Sequence, residues 1–227
     1  MKFHLPCIEA CVFDAYGTLF DVNGAVRCAE DELGDCGQQL AVLWRTKQLQ
    51  YTWLRSLTGH HADFWQVTGD ALDFAMSTIR LRDAPLRERL MNSYLALSVY
   101  PDVTDALNRL KAAGMKLAIL SNGAPTLLAK ATSCAGIDQV LDAVLSVEEV
   151  QVYKPHPSVY ALACEHLHLA AGQICFISSN GWDAYSAKAF GYRVVWCNRS
   201  GEGAEHIPQT PDAEIATLAE LPEIVLG

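Results

Sequence analysis

Five short apolar runs constrain the fold of this chain more than any other feature: Cys11 to Phe13, Leu117 to Leu120, Val144 to Leu145, Ile174 to Ile177 and Val194 to Cys197. Helical patterns stand between them, over Val103 to Ala113, Pro125 to Cys134, Ser158 to Leu167 and Ala184 to Phe190. Pro101-Asp102 and Gly114 bound the first of these helices, and Gly191 closes the last. Alternating strands and helices predict a parallel sheet, an α/β Rossmann-like core in which each helix joins two neighbouring strands by a right-handed crossover.

One block breaks the rhythm. Residues 23–99 hold no convincing strand and read as amphipathic helices, with Leu40, Leu43, Trp44, Lys47, Tyr51 and Leu54 marking apolar and polar faces. Inserted just after the first strand, this block is placed to roof the carboxyl ends of the strands, where open α/β sheets bind ligands. The expected organisation is a core of residues 1–22 and 100–227 with a helical cap subdomain at 23–99. The stretch from Ser200 to Pro211, rich in Gly, Pro and Gln, reads as a surface loop before a last strand and helix.

A formal charge of -9 without a lysine or arginine run disfavours nucleic acid and anionic membrane as partners and favours small soluble ones. Met1 to Pro6 lacks the apolar segment of a secretory signal, and no run approaches the ~18 apolar residues of a membrane span, so a cytoplasmic location is expected. The eight cysteines (Cys7, Cys11, Cys28, Cys36, Cys134, Cys164, Cys175, Cys197) form no CxxC pair and read as reduced, mostly buried thiols.

Chemistry gathers at the strand ends. Val12-Phe13-Asp14-Ala15-Tyr16-Gly17-Thr18-Leu19-Phe20 ends an apolar strand with a carboxylate and turns on a glycine, which presents Asp14 as a nucleophile. Ser121-Asn122, Lys154 and Asn180-Gly181-Trp182-Asp183 follow at later strand ends. Singly, each is ordinary turn or surface chemistry. In this order they resemble the haloacid dehalogenase (HAD) superfamily, whose hallmark is a nucleophilic aspartate, a strand-end Ser/Thr, a lysine and a final acidic cluster. Within it the chain is similar to the L-2-haloacid dehalogenases over Leu43-Trp44-Arg45, Gln50-Tyr51-Thr52-Trp53-Leu54-Arg55-Ser56-Leu57, Leu120-Ser121-Asn122-Gly123, Val152-Tyr153-Lys154-Pro155 and Ser178-Ser179-Asn180-Gly181-Trp182-Asp183.

The resemblance implies hydrolysis of short (S)-2-haloalkanoic acids to (R)-2-hydroxy acids and halide through an ester on Asp14, with haloacetate as a further substrate. Phosphatases of the superfamily use an acid two residues after the nucleophile and an acidic metal ligand four residues before the last aspartate. Here those places hold Tyr16 and Ser179, so no cofactor and no metal are expected. The resemblance implies that Lys154, Ser178, Asn180 and Asp183 arrange charge and water for ester hydrolysis and that Thr18 supports Asp14. Lys154 alone as base would need a lowered pKa. Arg45 and Asn122 would cradle the leaving halide. Ser121 and backbone N–H groups near Tyr16 and Asn122 would hold the substrate carboxylate. Leu49, at i+4 from Arg45, shares its helix face; with Tyr16, Phe64 and Trp182 it would wall the pocket, and Tyr160 would also touch substrate.

His60-His61 and His166-Leu167-His168 lack metal-ligand spacing and read as surface or packing residues, and Asp21 falls outside the site. A homodimer is implied by the family, and apolar cap helices would serve it. Two other readings stand beside the leading one: a HAD-type small-molecule phosphatase, which would release phosphate with Mg2+, and a binding protein that keeps the fold without turnover.

Overall fold

The computed structural model describes residues 4–22, 24–27, 29, 33, 34, 36–95 and 97–227. Strands β1 (Ala10–Phe13), β2 (Lys116–Ser121), β3 (Ala143–Ser146), β4 (Ile174–Ser178), β5 (Arg193–Cys197) and β6 (Ala213–Ile215) form one sheet in the order β3-β2-β1-β4-β5-β6, all neighbours parallel. Every residue of β1 and β4 is buried, as expected of central strands covered on both faces. The fold is α/β.

Helices α1 (Cys36–Thr58), α2 (Phe64–Thr78) and α3 (Ala84–Ser93) occupy the insertion after β1. Asp63 and Asp83 start α2 and α3 by accepting the amides of Gln66 and Leu86, each at 2.8 Å. Helices α4 (Val103–Ala112), α5 (Pro125–Cys134), α6 (Pro157–Leu167), α7 (Gly181–Phe190) and α8 (Leu221–Val225) belong to the alternating part of the chain. A proline opens α5 and α6 at a position where its missing N–H costs nothing.

The strand order corrects one expectation. Helices α5 and α7 each join neighbouring strands, but α6 joins β3 at one edge to β4, passing β2 and β1 on the way. The chain therefore reverses its progress across the sheet between β1 and β4, and a crevice opens at their carboxyl ends. Asp14 follows β1, and Ser179 to Asp183 follow β4, so the crossing helix is what brings them together.

On α1 the inward row is Leu40, Trp44, Gln48 and Thr52, spaced by four residues, whereas Leu54 is 55 % exposed. Trp44 Nε1 donates to Thr68 O at 2.9 Å, which fastens this row to α2. The next row of α1, Arg45, Leu49 and Trp53, turns toward the strand ends.

The cysteine expectation also needs correction. Cys11, Cys175 and Cys197 are buried in strands and Cys164 is half-buried, but Cys7, Cys36 and Cys134 are exposed; Cys28 lies outside the described residues. The exposed three sit in a turn or at helix ends rather than in strands. Residues 200–211 form a loop, exposed through 210, before β6 and α8. Among the described residues no helix is long and apolar enough to cross a membrane.

Candidate active site

Asp14 leaves β1 as its backbone N–H donates to Ile177 O of β4 at 2.9 Å, so the sheet itself sets the position of the carboxylate. The chain then reverses at Gly17, whose φ of +93° is open to glycine and strained for other residues. The turn returns Thr18 beneath Asp14: Thr18 Oγ1 donates to Asp14 Oδ2 at 3.1 Å and accepts from Ser179 N at 2.8 Å. Asn180 Nδ2 gives the same oxygen a second bond at 2.9 Å. Asn180 is the residue preceding α7, but its side chain does not cap that helix, because it is spent on Asp14 and Arg45.

The other oxygen, Asp14 Oδ1, accepts from Lys154 Nζ at 3.0 Å, and the same ammonium reaches Asp183 Oδ2 at 2.9 Å. Lys154 is 1 % exposed and Asp183 is fully buried, so one cation stands between two carboxylates with little solvent screening. Burial pulls the Lys154 pKa down, but the charges of Asp14 and Asp183 outweigh it and raise the group above its ordinary value. Lys154 therefore remains an ammonium and is unsuited to act as a base. Burial, then the like charge of Asp14, holds Asp183 above the usual carboxylate range against the opposing pull of Lys154 and of the Tyr160 hydroxyl. Ser178 Oγ accepts from Asn180 N at 3.2 Å and so shapes the loop rather than facing solvent.

The superfamily's Mg2+ does not suit these residues. The gap between Asp14 and Asp183 is filled by the Lys154 ammonium, and Ser179 supplies no carboxylate. Among the described residues, no group of three or more His, Cys, Asp or Glu is arranged to hold a metal ion. His61 instead meets Glu148 and His166 meets Glu149, each at 2.9 Å.

Above Asp14 lies a narrow cleft. The strand ends contribute Asp14, Tyr16, Ser121, Asn122, Asn180 and Trp182, and the insertion contributes Arg45, Leu49 and Phe64. Arg45 donates to Asn180 Oδ1 at 3.0 Å and to Gln48 Oε1 at 2.8 Å. Asn122 lines the cleft with its Oδ1 accepting from Lys154 N at 3.1 Å, and Ser121 Oγ accepts from Gly123 N at 3.0 Å. Tyr16 stacks on Phe64 with ring centres 5.4 Å apart, and Trp53 meets Trp182 edge to face at 5.6 Å. Burial raises the Tyr16 pKa, so its hydroxyl stays neutral.

Gly123 is the contact that lets Tyr16 lie where it does. A Cβ there would stand 2.7 Å from Tyr16 Cε2 and 3.0 Å from Leu128 Cδ2. The ring is buried and held by Phe64, so it has little room to yield. Gly123→Ala is expected to cost about 1–3 kcal/mol of stability, read as a lower urea midpoint at unchanged slope; parental stability would mean that the Tyr16 ring moves freely.

Of the residues singled out from sequence, Asp14, Tyr16, Arg45, Leu49, Phe64, Ser121, Asn122, Asn180 and Trp182 line the cleft, while Thr18, Lys154, Ser178, Asp183 and, last, Tyr160 do not. Tyr160 is 1 % exposed behind Asp183, donating to Asp183 Oδ1 at 2.7 Å, because the inner face of α6 packs on Phe176 and Tyr192. Other participants went unread. Trp53 continues the i+4 row of Arg45 and Leu49 and could have been found by that spacing. Arg199 donates to the Thr18 carbonyl at 3.1 Å and to Asp102 at 2.9 Å, a backbone contact that leaves no mark in sequence. Gln48, polar and on the inward row of α1, bears no mark in sequence that sets it apart from a surface glutamine.

Comparison with known proteins agrees with this geometry. The pattern of the haloacid dehalogenase-like hydrolase family matches residues 8–191. An (S)-2-haloacid dehalogenase 1 of Pseudomonas sp. (strain CBS-3) is 44 % identical over 220 residues, 96 % of this chain and 97 % of the relative. A crystal structure of a dehalogenase with an intermediate complex superposes with a TM-score of 0.95 at 42 % identity, covering 97 % of this chain and 98 % of the other. The L-2-haloacid dehalogenase of Xanthobacter autotrophicus with chloropropionic acid covalently bound gives 0.87 at 38 % identity, with 97 % and 99 % covered.

Proposed function

This chain belongs to the haloacid dehalogenase-like hydrolase family, and we infer that it hydrolyses the carbon–halide bond of short (S)-2-haloalkanoic acids, haloacetate included. The observation that carries the reading is a carboxylate and a guanidinium facing one cleft, Asp14 held by Lys154 and Arg45 held, among the described residues, by neutral amides. The first is a nucleophile and the second a seat for an anion.

In the first step Asp14 attacks C2 from the side opposite the halide; the C–O bond forms as the carbon–halide bond breaks, and the halide leaves with the electron pair. Lys154, Thr18 and Asn180 occupy three of the roughly four lone-pair sites of the carboxylate, which orients the remaining one toward substrate. Arg45 and Asn122 receive the developing halide charge. Ser121 and nearby backbone N–H groups hold the substrate carboxylate, and Tyr16, Leu49, Phe64 and Trp182 exclude water.

Ester formation removes the charge of Asp14, so Lys154 is left, among the described residues, with Asp183 as counter-ion. Water then attacks the carboxyl carbon of Asp14 as one of its protons passes toward Asp183, the carboxylate that remains beside the ester. The bond from the Asp14 carboxyl carbon to the ester oxygen then breaks, the departing alkoxide takes the proton from Asp183, and the restored Asp14 carboxyl loses its own proton to solvent; the C2–oxygen bond survives, so the product is the inverted (R)-2-hydroxy acid. Tyr160, hydrogen-bonded to Asp183, positions that base and does not touch substrate.

The cleft holds about 10 Å³ of free space, room for about one water. The helical cap is assigned to residues 23–99 and the core to 1–22 and 100–227. A cytoplasmic homodimer without nucleic-acid or membrane partners completes the reading. Chloride and (R)-lactate are expected from (S)-2-chloropropionate in the presence of EDTA. No halide from chloro-, bromo- or fluoro-substituted acids would sink the proposal, and Mg2+-dependent phosphate release would favour the phosphatase alternative, which Tyr16 and Ser179 oppose.

A further inference from the structure

Gln48 lies on α1 one turn beyond Arg45 and is fully buried. Its Oε1 accepts from Arg45 at 2.8 Å and from the Tyr94 hydroxyl at 3.4 Å. Its Nε2 donates to Thr68 Oγ1 at 2.7 Å, and Thr68 gives its own proton to Phe64 O at 2.6 Å. The directions are thus fixed. Thr68 has no proton left for Gln48, so the amide nitrogen must face Thr68 and the amide oxygen must face the guanidinium.

The chemistry of the partner is as informative as its position. Arg55, on the same helix, meets Asp70 at 2.6 Å, and Arg87 of α3 pairs with Asp73. Among the described residues, Arg45 has no carboxylate partner; its acceptors are the amides of Gln48 and Asn180. A carboxylate would hold Arg45 as firmly but would compete with a halide for its charge. A neutral amide fixes the fork and leaves the charge available. We propose that Gln48 is a positioning residue that aims Arg45 at the leaving halide without neutralising it. This rests on the dehalogenase reading above.

Gln48→Glu tests it, since size is kept and only the charge of the partner changes. With (S)-2-chloropropionate, kcat should fall at least about tenfold while KM changes little, because the substrate carboxylate is held elsewhere. The fall should be smaller with 2-bromopropionate, whose better leaving group needs less help. A variant as active as the parent, or one that loses both substrates equally, overturns the proposal. Should Gln48→Glu not fold, Thr68→Val removes the acceptor that orients the amide and should show the same chloride-weighted loss, with Thr68→Ser restoring it; no such loss also overturns the proposal. A parent protein that releases no halide overturns both this proposal and the function it rests on, whereas parental turnover with an unaffected Gln48→Glu overturns this proposal alone.

Discussion

Asp14→Asn should lower halide release by roughly a thousandfold or more while the protein stays folded. An amide oxygen is a poor nucleophile toward an sp3 carbon, and no other carboxylate among the described residues lines the cleft. Stability should change little for a specific reason. The substitution leaves Lys154 paired with Asp183 at 2.9 Å and removes the like charge that helps to raise the Asp183 pKa. Against that gain, the new amide nitrogen would face the Thr18 and Asn180 donors that now serve Asp14 Oδ2. The covalent route has an independent signature in the parent protein. In a single turnover in ¹⁸O water with enzyme in excess, the label should enter the Asp14 side chain and the hydroxy acid should form unlabelled. Label appearing directly in product would mean that water attacks C2 and that Asp14 is a base.

How much of this could be read in advance follows from what leaves a trace in sequence. Strand ends do: a short apolar run closed by Asp14, Ser121 or Ser178 marks both the element and its catalytic edge, and the sheet brings these ends together as parallel topology requires. Strand adjacency leaves none. Nothing in α6 distinguishes a helix linking neighbours from one that crosses two strands, yet that crossing sets β4 beside β1 and Asp183 within reach of Lys154.

Helix faces were legible only where hydrophobicity and burial agree. Leu54 is apolar and exposed, whereas Gln48 and Thr52 are polar and buried. A buried polar group needs partners, and the one that orients Gln48 is Thr68, twenty residues away. The placing of Tyr160 also rests on residues distant in sequence. Its partner is Asp183, and the aromatic surroundings that draw the ring away from the cleft come from β4 and Tyr192.

Lys154→Met is expected to destabilise the protein by about 3–5 kcal/mol at neutral pH, because two buried carboxylates lose the cation between them. The sign of the pH dependence separates this cause from lost packing. Lys154 is one of the influences that lower the Asp183 pKa, so its removal leaves burial and Asp14 to raise that pKa further. A carboxyl whose folded pKa lies above its unfolded value contributes stability that is present below the unfolded pKa and lost as pH rises through the folded one. The deficit of the variant relative to the parent should therefore be smaller at acid pH, where Asp183 can take up a proton, and grow as the pH rises. Asp102, Asp142 and Asp212, whose pKa values are lowered despite partial burial by hydrogen bonds to Arg199 and Thr217, Lys111 and Lys188 respectively, act with the opposite sign but equally in both proteins. They cancel in the difference. Urea melts of both proteins as the pH is raised decide the matter: a deficit independent of pH would reduce Lys154 to a packing role, whereas a deficit that grows with pH would show that its charge is what allows two carboxylates to stand ionised at the floor of the cleft.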